Sequence, residues 1–124
     1  VRALGKSRWA AVVDCVGGPT LAYALSTLNY GGVAAISGLA GSPDLPTTVH
    51  PFILRGVTMV GIDSVQLDID TRRRLWARLD SDLRPRHLAD LTHDIPISDM
   101  PSTITSILSA GMTGRTRVRV KGGF

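Results

Sequence analysis

The stretch from Asn29 to Gly41, Asn-Tyr-Gly-Gly-Val-Ala-Ala-Ile-Ser-Gly-Leu-Ala-Gly, constrains the fold more than any other part of the chain. It reads as the end of a helix, a glycine turn, a short buried strand over Val33–Ser37, and a second glycine-rich turn. Beyond the strand, Ser-Gly-Leu-Ala-Gly leaves backbone amides open to a flat or anionic ligand, because no large side chain stands in the way. In an open α/β sheet such a turn lies outside the carboxyl ends of the strands, where ligands bind.

The flanking sequence extends the same alternation. Trp9 to Val16 is a nearly continuous apolar run, which predicts a strand covered on both faces. Gly17-Gly18 breaks it, and Pro19 suits the first turn of a helix. Leu21, Ala24, Leu25 and Leu28 then fall at helical spacing, with Gly31-Gly32 as the stop. This strand–helix–strand unit predicts parallel neighbours joined by a right-handed crossover. A loop from Leu39 to His50 leads to a helical turn over Pro51–Arg55 and a third strand over Val57–Ile62. Asp70 or Thr71 caps a helix bearing Leu75, Trp76, Leu79 and Leu83, which Pro85 ends. A turn over His87–Leu91 and a fourth strand over His93–Ile97 follow. Ser98 or Asp99 caps a last helix with Met100, Ile104, Ile107 and Leu108 on one face, stopped at Gly111. Arg115–Lys121 forms the closing strand. The alternation makes the fold class α/β, a parallel sheet with flanking helices.

Composition narrows the function. No apolar run reaches the length of a membrane span and no signal pattern opens the chain, so no membrane partner is expected. The one cysteine, Cys15, rules out an internal disulfide and fits a reducing cytoplasm; its place in the first strand predicts a buried packing thiol. A net charge of +4 raises the question of nucleic acid. Arg72-Arg73-Arg74 reads as a solvated helix face. Arg115, Arg117, Arg119 and Lys121 alternate along the last strand on one face, opposite Thr116, Val118 and Val120, with no stacking aromatics beside them. No nucleic-acid partner is expected. His50, His87 and His93 lack metal-ligand spacing with one another or with Cys15, so no metal is expected. Ser26, Thr27 and Ser81 have no histidine partner for a hydrolase triad. Asp14 inside a strand reads as hydrogen-bonded structure, and His50 as an ordinary loop residue.

A self-sufficient dinucleotide domain carries a Gly-x-Gly-x-x-Gly turn after its first strand and a ribose-reading residue beyond it. Neither occurs, since Gly38-Leu39-Ala40-Gly41 opens a proline-bearing loop instead of a helix. With Val1 in place of an initiating Met, the chain reads as a piece: the second half of a dinucleotide-binding fold.

Several motifs occur together and in order: Tyr30-Gly31-Gly32, Gly38-Leu39-Ala40-Gly41, Leu45-Pro46-Thr47-Thr48-Val49, Pro51-Phe52-Ile53-Leu54-Arg55-Gly56 and Gly61-Ile62-Asp63-Ser64-Val65. Trp9-Ala10, Val13-Asp14, Val16-Gly17-Gly18 and the closing Gly114-Arg115-Thr116 accompany them. Over nearly its whole length the chain closely resembles the C-terminal part of acryloyl-CoA reductases, the YhdH/YhfP-type quinone-oxidoreductase-like branch of the medium-chain dehydrogenase/reductase superfamily. The resemblance implies a Rossmann-type fold and a zinc-free, NADPH-dependent oxidoreductase. Its substrate would be the C=C bond of an activated enoyl compound such as acryloyl-CoA, or a quinone-like acceptor. Hydride would pass to the β-carbon and a proton to the α-carbon, with donors stabilising the oxyanion between the two steps.

On the same ground residues 1–112 are the C-terminal half of an NADP-binding domain, and residues 113–124 a strand returning toward a catalytic domain. The implied cofactor contacts are Val16 and Gly17 beside the adenosine and ribose, and Ser37, Gly38 and Leu39 near the nicotinamide. Ile62, Asp63 and Ser64 approach the nicotinamide too, chiefly through backbone groups. Arg115 contacts a cofactor phosphate or lines the cleft. No residue here is assigned a catalytic role. The strand Val57–Ile62 is expected to pair with its copy in a homodimer, which also protects an apolar edge. The alternative is a catalytically inert fragment that serves as a dimerisation or structural module.

Overall fold

The apolar run at Trp9 forms strand β1 (Trp9–Asp14), and the Gly-Gly-Pro break starts helix α1 (Gly18–Thr27) with proline in its first turn. Strand β2 (Leu28–Ile36), helix α2 (His50–Arg55) and strand β3 (Thr58–Gly61) follow. In the computed structural model, which describes residues 2–121, these elements make one compact unit ending at Asp68, and the residues from Ile69 onward make a second.

The first unit is a three-stranded sheet in the order β1-β2-β3, parallel throughout. Asp14 stands beside Ile36, and Ile36 beside Gly61, so the three strands end level with one another. Leu21 and Leu25 of α1, Leu28 and Ala34 of β2, and Val57 form the core, with Val12, Ile36, Leu45 and Phe52 packed around it. Each buried leucine contributes roughly 1.5–3 kcal/mol.

Helix α1 ends at Thr27, four residues before the glycine pair expected to stop it, because side chains close it early. Thr27 Oγ1 donates to the carbonyls of Tyr23 and Ala24, and Leu28 is already extended. The pair instead forms a bulge: Trp9 lies opposite Leu28 but Ala11 opposite Val33, so residues 29–32 loop out of register. Gly31 there has φ +71°, and a Cβ on Gly32 would stand 3.1 Å from the Ala10 carbonyl.

Arg55 ties the unit together. Its guanidinium donates to the carbonyls of Ser26 (2.9 Å), Leu28 (3.1 Å) and Gly5 (2.6 Å). Two of these acceptors lie at the carboxyl end of α1, where helix carbonyls lack partners and a cation is favoured.

β1 is not covered on both faces. Val12 packs on the core, whereas Val13 is 84% and Trp9 48% exposed among the described residues. The strand also ends at Asp14, which leaves Cys15 exposed beyond it, contrary to the expected buried thiol.

The second unit contains helix α3 (Ile69–Leu79), strand β4 (Thr92–Pro96), a 3-10 turn (Ile97–Asp99), helix α4 (Met100–Leu108) and strand β5 (Arg115–Arg119). Among the described residues the parallel strands thus fall in two sheets, with β4 paired to β5 from Thr92 beside Arg115 to Pro96 beside Arg119. α3 begins at Ile69, which puts Asp70 and Thr71 inside its first turn, and it ends at Leu79, before Pro85. Asp99 precedes α4 without a side-chain cap bond, and proline occupies the first turn. α4 closes through Ala110 at φ 55° and a Gly111 N–H to Ser106 carbonyl bond of 2.8 Å. The alternation of β5 holds, with Thr116 and Val118 half-buried and the arginines outward. That basic face is partly neutralised: Arg117 grips Asp94 at 2.7 and 3.0 Å, and Arg119 approaches it at 3.5 Å.

Candidate functional site

The level ends of β1, β2 and β3 place three turns side by side. In the first, Asp14 is 4% exposed and its Oδ2 accepts from the Gly17 N–H at 2.9 Å, which supports the reading of this carboxylate as structural. Gly17 has φ +71°, and a Cβ there would run into the Ser42 carbonyl, so only glycine fits.

Backbone bonds lace this turn to the one after β2. Ser37 N–H donates to the Asp14 carbonyl at 2.8 Å, Ala40 N–H to Cys15 at 3.2 Å, and Gly41 N–H to Val16 at 2.8 Å. An isolated parallel bridge joins Gly17 to Ser42. The turn after β3 is held in the same way by the Ile62 N–H on the Ile36 carbonyl at 2.8 Å. Asp63 then turns the chain, its Oδ1 accepting from Val65 N–H at 3.0 Å and Gln66 N–H at 3.1 Å.

Ile36, Ser37, Gly38, Leu39, Gly61, Ile62 and Asp63 line one hollow of about 480 Å³ at the ends of β2 and β3. Five residues nominated from sequence therefore meet: Ser37, Gly38, Leu39, Ile62 and Asp63. Val16 and Gly17 lie on the neighbouring turn, bonded to the rim loop without lining the hollow. Ser64 follows Asp63 outside the lining, and Arg115 belongs to the second unit, its N–H on the Leu91 carbonyl at 2.7 Å. Ile36 and Gly61 line the hollow without having been nominated. Each is the last residue of its strand, and their pairing across β2 and β3 was the signal available.

Chemically the hollow offers apolar walls from Ile36, Leu39 and Ile62, a hydroxyl from Ser37, and backbone amides. Gly61 adds clearance, since a Cβ there would meet nothing within 4 Å. Such a surface suits a flat ring with a polar edge. Among the described residues no group of three or more His, Cys, Asp or Glu is gathered to hold a metal. Among those residues, too, no helix is long and apolar enough to cross a membrane.

In the second unit, the Arg117 guanidinium hydrogen-bonded to Asp94 holds that carboxyl below its ordinary value. The Arg119 guanidinium acts in the same direction. Asp82 is likewise held low, chiefly by the side-chain hydrogen bond from Arg78.

No family model matches the chain. Acrylyl-CoA reductase AcuI of Ruegeria pomeroyi is 42% identical over 119 residues, covering 96% of this chain and 36% of the relative. YhfP of Bacillus subtilis, which bears the name of a quinone oxidoreductase, is 42% identical over 121 residues, or 97% of this chain and 37% of that protein. Its crystal structure with NAD bound superposes with a TM-score of 0.80. The structure of Escherichia coli YhdH with bound NADPH gives a TM-score of 0.82 at 42% identity, covering 98% of this chain and 38% of that one. The chain thus spans little more than a third of the length of the curated relatives it matches.

Proposed function

Because the chain belongs to the medium-chain dehydrogenase/reductase family, in the branch of YhfP quinone oxidoreductase and AcuI acrylyl-CoA reductase, we propose that it is part of an NADPH-dependent oxidoreductase. Its reaction is the reduction of the C=C bond of an activated enoyl substrate such as acryloyl-CoA, or of a quinone-like acceptor. The observation that carries this reading is the hollow at the ends of β2 and β3, with apolar walls and polar groups where an α/β sheet takes its ligand.

The residues fit a nicotinamide cofactor. Gly61 leaves room above the strand end, and the turn at Gly38 packs closely enough on the Cys15 carbonyl to hold its amides in place. Bound there, the cofactor supplies a hydride. The chain's own contribution is orientation and exclusion of water. Ile36, Leu39 and Ile62 present apolar surface to the ring, while Ser37, Gly38 and the backbone from Ile62 to Ser64 meet its polar edge. Val16 and Gly17 sit toward the adenosine and ribose, and Arg115 serves a phosphate or the cleft wall. Residues 1–112 form half of the NADP-binding domain in this reading, and residues 113–124 lead toward a catalytic domain. The oxyanion donors and the proton source are left to the rest of the protein, so these 124 residues are not sufficient for turnover.

A homodimer through β3 accompanies this reading. Thr58–Gly61 is an edge strand of its sheet with all four residues exposed, including Met59 and Val60 at 41% each. Apolar open edges invite pairing with a second copy.

The test is a chimera in which these residues replace the matching 38% of Escherichia coli YhdH. NADPH oxidation driven by acryloyl-CoA is expected, and Gly38→Ala in the chimera should weaken it. A folded chimera that neither binds NADPH nor turns over would overturn the reading.

A further inference from the structure

Charge is unevenly placed along the chain. The residues before Ile69 carry four basic and four acidic side chains, and those from Ile69 onward ten basic and six acidic. The whole net charge of +4 therefore belongs to the second unit. Part of it gathers at a hollow of about 450 Å³ beyond α3, where Arg84, Arg86 and Arg117 line the wall and no carboxylate does. Arg117 is gripped by Asp94, and Arg84 stands 3.7 Å from Asp80, near the far limit of an ion pair. Arg86 makes no hydrogen bond or ion pair among the described residues.

A second hollow, of about 310 Å³, adjoins the first and shares Arg84, Pro85 and Leu88 with it. Trp76 and Leu79 give it apolar walls, and Asp80 completes its lining. The Trp76 side chain is 65% exposed. An open aromatic beside an unpaired arginine is the pairing that anchors protein–protein contacts.

A ligand here meets three demands together. The apolar walls take a hydrocarbon group, and the Arg84 and Arg86 forks take carboxylates. Asp80 needs an N–H donor once an anion draws Arg84 from it. A small anion meets only the second demand, and a fatty acid has no donor for the third. A peptide with an apolar residue between acidic ones meets all three, because its main chain carries N–H groups.

We propose that the paired hollows dock an acidic segment of a partner protein, with an apolar side chain between Trp76 and Leu88 and carboxylates on Arg84 and Arg86. The Asp80 carboxylate then accepts from the main chain of the segment. The site lies within residues 69–121 and does not depend on the hollow at β2 and β3.

The test is fluorescence anisotropy on the full chain with the fluorescein-labelled peptide Asp-Asp-Leu-Asp-Asp, beside a counterpart in which asparagine replaces each aspartate. Saturable binding of the acidic peptide is expected at roughly 10–100 μM, with a change in Trp76 emission in a Trp9→Phe background. It should weaken severalfold when salt rises from about 0.05 to about 0.5 M. Arg86→Ala and Trp76→Ala should each weaken it about tenfold, and Arg86→Lys should recover only part of the first loss. The proposal is overturned by no saturable binding at about 1 mM, by an affinity indifferent to Arg86→Ala, or by equal binding of the asparagine peptide. Citrate binding as tightly as the peptide would make this a small-anion site, and oligothymidylate binding as tightly a nucleic-acid one; either overturns it. Binding to the chain but not to a folded chimera with Escherichia coli YhdH would overturn it as well, by showing that the rest of the protein covers the hollows.

Discussion

Replacing Arg55 with alanine should destabilise the first unit more than any other single change on its surface. The guanidinium serves three carbonyls from three segments: Gly5 ahead of β1, Ser26 at the end of α1, and Leu28 at the start of β2. A hydrogen bond to a charged group is worth about 1.5–3 kcal/mol when its acceptor would otherwise be buried without a partner. Three would suggest more than 4 kcal/mol, but the side chain is only half-buried and water recovers part of the loss. An expected cost of about 3 kcal/mol remains. That corresponds to a fall in melting temperature of roughly 10–20 °C, or about 1.5 M in urea midpoint at unchanged slope. Urea unfolding followed by far-UV circular dichroism and by the emission of Trp9 in a Trp76→Phe background measures it. Lysine reaches one carbonyl at best, so Arg55→Lys should lie nearer alanine than arginine. A cost below about 1 kcal/mol for alanine, or a lysine variant as stable as the parent, would refute the assignment of Arg55 as the tie.

Other expectations are simpler. Gly38→Ala sets a Cβ 2.7 Å from the Cys15 carbonyl, so it should cost about 1–3 kcal/mol and weaken NADPH binding, read by fluorescence titration. Gly61→Ala meets nothing within 4 Å, so its stability should stay within about 0.5 kcal/mol of the parent while NADPH affinity falls; unchanged affinity would count against the hollow as the nicotinamide site. Cys15 is exposed, so a thiol reagent should label the native chain as fast as an unfolded control; slow labelling would contradict its position. For Asp94 the folded carboxyl titrates below the unfolded value of 3.8, so its stabilising pairing is complete above that value and is lost as pH falls through the folded one. A carbon-detected NMR titration should show its midpoint rising toward 3.8 in Arg117→Ala, and no rise would remove the pair as the cause.

The order of elements was legible because each leaves a local trace. The apolar run at Trp9, the proline in the first turn of α1 and the alternation of Arg115–Arg119 each depend on neighbouring residues alone, and all are found. The misread points depend on distant partners. Gly31-Gly32 resembles a helix stop, yet α1 is closed by Thr27 and Arg55, one of them 28 positions further on, and the glycines serve a register slip against β1. Cys15 continues the apolar run of the first strand in sequence, yet that strand ends one residue earlier, where the Asp14 carboxylate accepts from the Gly17 amide. At the site, Ser37, Gly38, Leu39, Ile62 and Asp63 stood out as turn residues after strands. Ile36 and Gly61 looked like ordinary strand residues, and only the pairing of β2 with β3 makes them lining.

The lacing of the three turns by main-chain bonds has a consequence for how such a protein changes over generations. The contacts from Ser37, Ala40, Gly41 and Ile62 to the carbonyls of the adjacent turns and strand ends are main-chain bonds, to which only the Ser37 hydroxyl adds, donating to the same Asp14 carbonyl at 3.3 Å. Replacement of Ser37, Leu39 or Ile62 therefore leaves the frame standing while altering what the frame presents. A lineage can drift from one preferred ligand toward another through single substitutions at these places without an unfolded intermediate. The glycine at position 17 has no such liberty, since any side chain there collides with the strut that keeps the frame square.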